Sequence, residues 1–381
     1  MKLSHFKNVR LWDILFVFVM ITEFCASHSL LNNISLVLFC ILSIIRCLEM
    51  KTLKTSIIFL FYAVLIFIGW LNIDLDNSIS PANSHRLLTT LYIDLVFIVC
   101  AYQYMYHTDK EKLMKCALIA AILGSVYVLT VTFLITGTFI LRGNGESTGI
   151  NANALAVCNA FVVVCMLAKK KSWLQYTLIL FLLLFCVLAG TRKALLVAII
   201  GYVFFILLNN PSRIAKNVAI VTMTCCIAIW LIFNVPFLYD KIGVRFETLI
   251  DMMQGGKGAA SEETRSRFIE AGMYKFNQRP MEGHGIGTFG TIYGTYSHNN
   301  YVELLFSLGI PGVVAYYSIH FYLAVIGILH YKKYRSYTFC LGIALLIAIT
   351  TIDYAMVTYY ERSGLILILI IASLLFVKKA K

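Results

Sequence analysis

The sequence predicts an all-α fold: a polytopic transmembrane helix bundle of about 12 spans with one long extracytoplasmic loop containing short helices. Three observations lead there. Hydrophobic residues make up 60% of the 381, with only 13% charged, against the ~45–50% apolar content of soluble domains. Apolar runs recur that approach the about 20 residues a helix needs to cross the hydrocarbon core. The Lys and Arg content of the connections alternates between dense and sparse, as it does when short cytoplasmic loops collect positive charge.

The runs lie near residues 13–30, 32–50, 55–73, 87–106, 116–140, 153–168, 173–190, 194–208 and 217–235, then near 311–330, 337–357 and 363–378. With the N-terminus inside, the cytoplasmic segments hold Lys2, Lys7 and Arg10; Arg46, Lys51 and Lys54; Lys110, Lys112 and Lys115; Lys169, Lys170 and Lys171; Arg213 and Lys216; Lys332, Lys333 and Arg335; and Lys378, Lys379 and Lys381. These are 20 of the 32 basic residues, and one span more or fewer would move clusters to the wrong face. Both termini are therefore expected in the cytoplasm. The net charge of +13 then follows from topology and from membrane lipids as partners, and no nucleic acid is expected.

The eleven cysteines fall in or beside apolar runs without a C-x-x-C pair, so they read as small hydrophobes and not as a disulfide framework or zinc site. The first run lacks a small-residue cleavage pattern and is followed by further spans, so it reads as a helix and not as a signal peptide. The chain thus divides into residues 1–235 with nine spans, 236–301 as an extracytoplasmic loop, and 302–381 with an interfacial helix and three spans.

The loop carries Lys241, Arg245, Lys257, Arg265, Arg267, Lys275 and Arg279 against Asp240, Glu247, Asp251, Glu262, Glu263, Glu270 and Glu282. Structureless loops beyond ~12–15 residues are uncommon unless functional or disordered, so helices are expected inside it. One is predicted from an N-cap at Ser261 to Asn277, with Phe268, Ala271, Gly272 and Lys275 on one side, before Pro280. Gly285-Ile-Gly-Thr-Phe-Gly290 fits the dinucleotide-binding expression, but Arg279-Pro280 precedes it where a strand would be needed. Its glycines are better explained as letting backbone pass close to the bundle or to a ligand. Gly255-Gly-Lys-Gly258 lacks the spacing of a P-loop.

Tyr296-Ser-His298-Asn299-Asn300 leads into Tyr301-Val-Glu303-Leu-Leu-Phe306 and ends at Gly309-Ile-Pro311-Gly312. Ser297 is expected to cap a short amphipathic helix at the outer interface, beginning at His298 and ending at Gly309, with Asn299 and Glu303 on one face. Helix starts attract anions, and His298 there either caps the helix or carries chemistry. Arg192 stands at the outer end of the seventh run, where cations should be few. It either snorkels to headgroups or joins a loop arginine around phosphate, whose oxygens suit the guanidinium fork. Arg142–Asn153 is a polar, Gly-rich outer turn in which Asn151 and Asn153 could bond sugar hydroxyls.

In this order the residues resemble the O-antigen ligase and Wzy-type polysaccharide polymerase superfamily of integral membrane glycosyltransferases. The resemblance rests on Gly149-Ile-Asn-Ala-Asn153, Gly190-Thr-Arg192-Lys-Ala194, Arg265 with Gly283-His-Gly285-Ile-Gly-Thr-Phe289, and Ser297-His298-Asn299 leading to Gly309-Ile-Pro-Gly312. It covers about 145–315, and departs from the family pattern at Thr191, Lys193 and Ile269. The resemblance implies transfer of a glycan from a polyprenyl-diphosphate donor to a glycan acceptor at the outer face of a bacterial cytoplasmic (inner) membrane. It implies no cofactor and no metal. Arg192 and Arg265, with Arg245 beside them, would stabilise the leaving diphosphate; His298 would be the base; Asn299, Asn151, Asn153 and Glu303 would bind substrate. A chain-length regulator and a flippase are the partner proteins it implies. Polymerisation of repeat units is favoured over ligation to a lipid core because the chain diverges around Arg192.

A twelve-span transporter is the competing class, because Glu23 and Asp94 lie inside runs and intramembrane acids mark ion pathways. Against it, the long loop follows the ninth run and matched halves are not visible. Glu23 and Asp94 are expected to pair with bundle donors such as Tyr or Asn.

Overall fold

The computed structural model describes residues 10–26, 29–51, 56–72, 81–139, 141, 150–168, 172–209, 211–253 and 260–377, and these are mostly helical with no strand among them. Each of the twelve apolar runs has its helix. The first nine are α1 (Leu11–Ala26), α2 (Leu30–Met50), α3 (Ile57–Leu71), α4 (Pro81–His107), α5 (Lys110–Thr136), α6 (Ala152–Leu167), α7 (Trp173–Leu188), α8 (Arg192–Asn209) and α9 (Ile214–Asn234). The loop contributes α10 (Val244–Met253), α11 (Ala260–Phe276) and α12 (Thr288–Tyr293), and the chain closes with α13 (Asn300–Tyr334), α14 (Tyr337–Ile352) and α15 (Arg362–Leu375). By length and composition five described helices can cross a membrane: α2, α4 from Ser84, α5, α8 and α13. The outer turn 142–149, Gly255–Gly258, the basic clusters at 2–7, 54, 169–171 and 378–381, and the side chain of Arg245 lie outside the described residues.

Serines begin several helices where the sequence turns apolar. Ser29, Ser56 and Ser336 each accept a first-turn amide, and Ser172 makes a full capping box with Gln175. α8 is wedged between α6 and α14. A Cβ on Gly201 would come within 3.0 Å of Val164, so the α6–α8 crossing needs glycine there. α4 packs against α2, α3 and α15, and α11 lies over the start of α13.

Glu23 and Asp94 meet a partner the sequence did not indicate. Arg362, the first residue of α15, places Nη1 3.1 Å from Glu23 and Nε 2.6 Å from Asp94, all three side chains being buried. Asn32 Nδ2 also donates to Glu23, at 2.8 Å, and the Tyr62 hydroxyl approaches Asp94 at 3.5 Å. The expected Tyr and Asn partners are present, and an arginine from the far end of the chain completes the cluster.

Two segments differ from expectation for identifiable reasons. The run 337–357 does not stay helical: α14 stops at Ile352, and residues 353–361 form a partly buried connection to α15, with Asp353, Val357, Thr358 and Tyr359 enclosed. Buried non-helical backbone must find its partners in protein, and Asn300 supplies them. Its carboxamide oxygen accepts the amides of Thr358 and Tyr359 at 2.9 and 3.1 Å, and its own amide donates to the Asp353 carbonyl at 2.8 Å. The helix expected to lie at the interface is instead buried on most sides, with Val302, Glu303, Leu304, Phe306, Ser307 and Leu308 enclosed. It begins at Asn300, not at His298.

Gly309 breaks α13 with φ 64° and ψ −164°, a conformation essentially reserved for glycine. The loop ahead of α12 takes up the freed backbone groups. His284 and Gly285 donate to the carbonyls of Phe306 and Ser307 at 2.8 and 3.0 Å, and Ile310 donates to Pro280 at 2.9 Å. Gly283 (φ 71°) sits so close that a Cβ would fall 2.6 Å from Ser307 backbone. Gly290 has open space, so the close-approach role belongs to only some of the loop glycines. Gly283→Ala should lower the thermal midpoint of the purified protein, the left-handed backbone alone costing about 1–2 kcal/mol; an unchanged midpoint would show that the loop does not seat this way.

Candidate functional site

The turn before α13 is built to hold one histidine in an uncommon conformation. The Ser297 hydroxyl donates to the Asn299 carbonyl at 2.8 Å and receives the Asn299 amide at 3.2 Å, bracketing His298 from both sides. Asn299 is the N-cap, its Oδ1 accepting the amides of Tyr301 and Val302 at 3.0 and 3.1 Å. Glu303 reaches back to take the Ser297 amide at 2.7 Å. His298 in between has φ 59°, rare for a residue with a side chain and typical of places where position matters more than strain. Ser297, Asn299 and Glu303 are buried and engaged in support of the turn, so the capping expected of Ser297 falls to Asn299.

The imidazole lies against the Tyr296 ring, with centroids 4.1 Å apart. Its Nδ1 is buried and has no hydrogen-bond partner among the described residues. Burial, then the charges of Arg265 and Lys193, push its pKa down to about 4. Neutrality near pH 7 therefore comes from desolvation and neighbouring cations.

α11 brings in Arg265. Gly272 lets it approach: a Cβ there would lie 2.4 Å from Val302 Cγ1. One turn earlier Phe268 packs on Phe289 and Tyr293, with centroids 6.1 and 6.0 Å apart. His284 stacks on Phe306 and meets the Lys275 carbonyl at 2.8 Å. Phe268 and Gly272 thus share the contact side, two of the four residues expected there; the helix starts at Ala260, which puts Ser261 inside its first turn.

α8 supplies the other cations from its first turn, Arg192 and Lys193. Gly190 turns the chain with φ 61°, and the Thr191 hydroxyl donates to Asn153 Oδ1, tying the start of α8 to the start of α6. Lys193 lies near enough to Arg265, Arg192 and His298 for their charges to act on one another. Neither Lys193 nor Arg265 forms an ion pair among the described residues.

Of the residues singled out from sequence, His298 and Arg265 come within electrostatic reach of Lys193, and Arg192 precedes Lys193 in the first turn of α8. Asn153 is occupied by Thr191. Asn151 caps α6 through Ala154 at 3.2 Å and keeps its side chain at the surface. Two site residues escaped sequence reading. Lys193 was treated only as a departure from a pattern. Glu361, in the partly buried connection between the last two helices, lies close to Tyr296, and burial, followed by Glu23 and Asp94, pushes its pKa up to about 7. The one signal for it was an adjacent Glu-Arg pair in an otherwise uncharged stretch. Among the described residues no group of three or more His, Cys, Asp or Glu could hold a metal ion.

Residues 177–317 match the family model described as O-antigen ligase. Over this stretch the chain is similar to the O-antigen ligase family. The stretch includes Arg192, Lys193, Arg245, Arg265 and His298, and leaves Asn151, Asn153 and Glu361 outside it. Curated proteins yield no match. That match, with the membrane-length helices, supports an integral membrane enzyme that handles glycans in surface-polysaccharide biosynthesis of the bacterial envelope.

Proposed function

We propose that this chain is a glycosyltransferase that polymerises polyprenyl-diphosphate-linked oligosaccharide repeat units. It works at the outer face of the cytoplasmic membrane, with twelve spans and both termini inside. The observation that carries the reading is the approach of Arg265 and of Lys193, which follows Arg192 in the first turn of α8, to the neutral imidazole of His298, at the end of the bundle opposite Lys110, Lys332, Lys333 and Arg335. Lys193 and Arg265, which form no ion pair among the described residues, suit a diphosphate, and an adjacent unprotonated imidazole suits an acceptor hydroxyl.

In this mechanism the acceptor oxygen attacks the anomeric carbon as its proton passes to His298. The bond from that carbon to the diphosphate oxygen breaks, and the electron pair leaves with the lipid diphosphate, whose growing charge Arg192 and Arg265 stabilise. Ser297, Asn299 and Glu303 act as positioning residues for the His298 turn, Asn153 positions α8, and the exposed Asn151 is a sugar contact. Arg245 is a further phosphate ligand. A ligase that moves finished glycan to an envelope acceptor uses the same chemistry, and the description of the matching family favours that second reading.

The deciding experiment compares surface polysaccharide, resolved by length, in a strain lacking the gene and complemented with wild type, His298→Ala or Arg265→Ala at equal membrane abundance. Long chains restored by wild type alone, with single repeat units left in the mutants, support polymerisation. Polymer accumulating on the polyprenyl carrier identifies a ligase. Full function of both mutants overturns the proposal.

A further inference from the structure

We infer that the cleft between α2 and α4 is a binding site for an anionic glycerophospholipid, with one acyl chain lying in the cleft and the phosphate resting on Lys51. The cleft has a volume of about 420 Å³. Close-packed protein leaves few voids larger than a water molecule, so a gap of this size between neighbouring helices points to an occupant. Its shape suits a chain. On α2 the lining residues Ser43, Cys47 and Lys51 recur at i, i+4 and i+8, facing Cys100 and Gln103 on α4, so the cleft follows the helix axes for about 12 Å at 1.5 Å per residue. Small side chains open it. One turn earlier Phe39 and Phe97 meet across the same two helices with ring centroids 6.1 Å apart, whereas Ser43, Cys47 and Cys100 are too short to close the gap. The Ser43 hydroxyl accepts Trp12 Nε1 at 2.8 Å and the Cys100 thiol donates to the Cys40 carbonyl at 3.9 Å. Thiols otherwise act as small hydrophobes, and the exposed Ile44 and Leu48 complete an apolar wall.

Charge selects the headgroup. Lys51 lines the end of the cleft, and its backbone amide already caps the carbonyls of Cys47 and Leu48, so its ammonium is not needed to close α2. Lys51 forms no ion pair among the described residues, whereas Arg46 is paired with Glu49 at 2.8 Å and Lys112 with Asp13. It also stands at the end of α2 where the sequence places the cytoplasmic leaflet, and basic sites between transmembrane helices on that side recognise anionic headgroups. A zwitterionic headgroup brings its own cation and gains less from Lys51.

The test is native mass spectrometry of the full-length protein, purified and delipidated in detergent, with dioleoyl phosphatidylglycerol or dioleoyl phosphatidylcholine supplied in mixed micelles. Wild type should hold a single phosphatidylglycerol and bind it about fivefold more tightly than phosphatidylcholine. Lys51→Gln should lose that preference and Lys51→Arg should keep it. Cys47→Phe, which fills the cleft without changing its charge, should lose the bound lipid while its thermal midpoint in detergent alone stays at or above that of wild type. Equal affinity for the two lipids, a preference that survives Lys51→Gln, or a bound lipid that survives Cys47→Phe overturns the inference. So does a dimer that Cys47→Phe separates, which would give the cleft to a second copy of the chain.

Discussion

His298→Ala will lower the rate of glycan transfer by about 10²–10⁴-fold, the usual contribution of a positioned general base, while the protein still accumulates in the membrane. Folding should survive because the turn is held by Ser297, Asn299 and Glu303 rather than by the ring, and alanine relieves none of those bonds. The pH profile gives the second readout. With a pKa pushed down to about 4, the free enzyme keeps its base unprotonated until pH falls through that value, so kcat/KM should stay level down to about pH 5. A bound diphosphate offsets Arg265 and Lys193, which raises the imidazole pKa; the acid limb of kcat should therefore lie at higher pH than that of kcat/KM. A fall of less than tenfold on mutation would remove His298 from the chemistry.

Arg362→Met will cost as much stability as the largest apolar truncations in the bundle. It leaves Glu23 and Asp94 buried without their shared cation, and breaking a buried ion pair from one side typically costs about 3–5 kcal/mol. The connection 353–361 that anchors Asn300 ends at this arginine, so loosening it also loosens the start of α13. The expected result is near-complete loss of folded protein, measured as membrane abundance and as thermal midpoint of any protein recovered. Combining Arg362→Met with Glu23→Gln and Asp94→Asn should restore much of the abundance, since the triple variant buries no charge. If the triple variant folds and still transfers glycan, the cluster is structural; loss of activity in a well-folded triple variant would point to a proton or ion path and revive a transporter.

Legibility differed from residue to residue along the opening stretch of α13. The sequence singled out Ser297, His298, Asn299 and Glu303 as one unit but assigned the cap to Ser297 and sugar contact to Asn299 and Glu303. The choice among neighbouring hydroxyl, amide and carboxylate groups depends on a left-handed φ at His298, which histidine adopts more often than most residues but still uncommonly. Gly309 and Pro311 were legible because each acts through its own backbone. Lys193 and Glu361 were not, since nothing local separates a lysine at a site from one reaching for headgroups.

By itself the sequence determined the helical class, the twelve apolar helices and the two glycine-rich breakpoints in the matched region. These follow from transfer free energies and backbone sterics that each segment carries alone. Only the tertiary structure decided that Arg362 joins Glu23 and Asp94, that Asn300 holds the last connection, and that α8 and α11 deliver their cations to one imidazole. Those meetings join residues from helices distant in sequence, and their free energy comes from packing and burial that no single segment possesses.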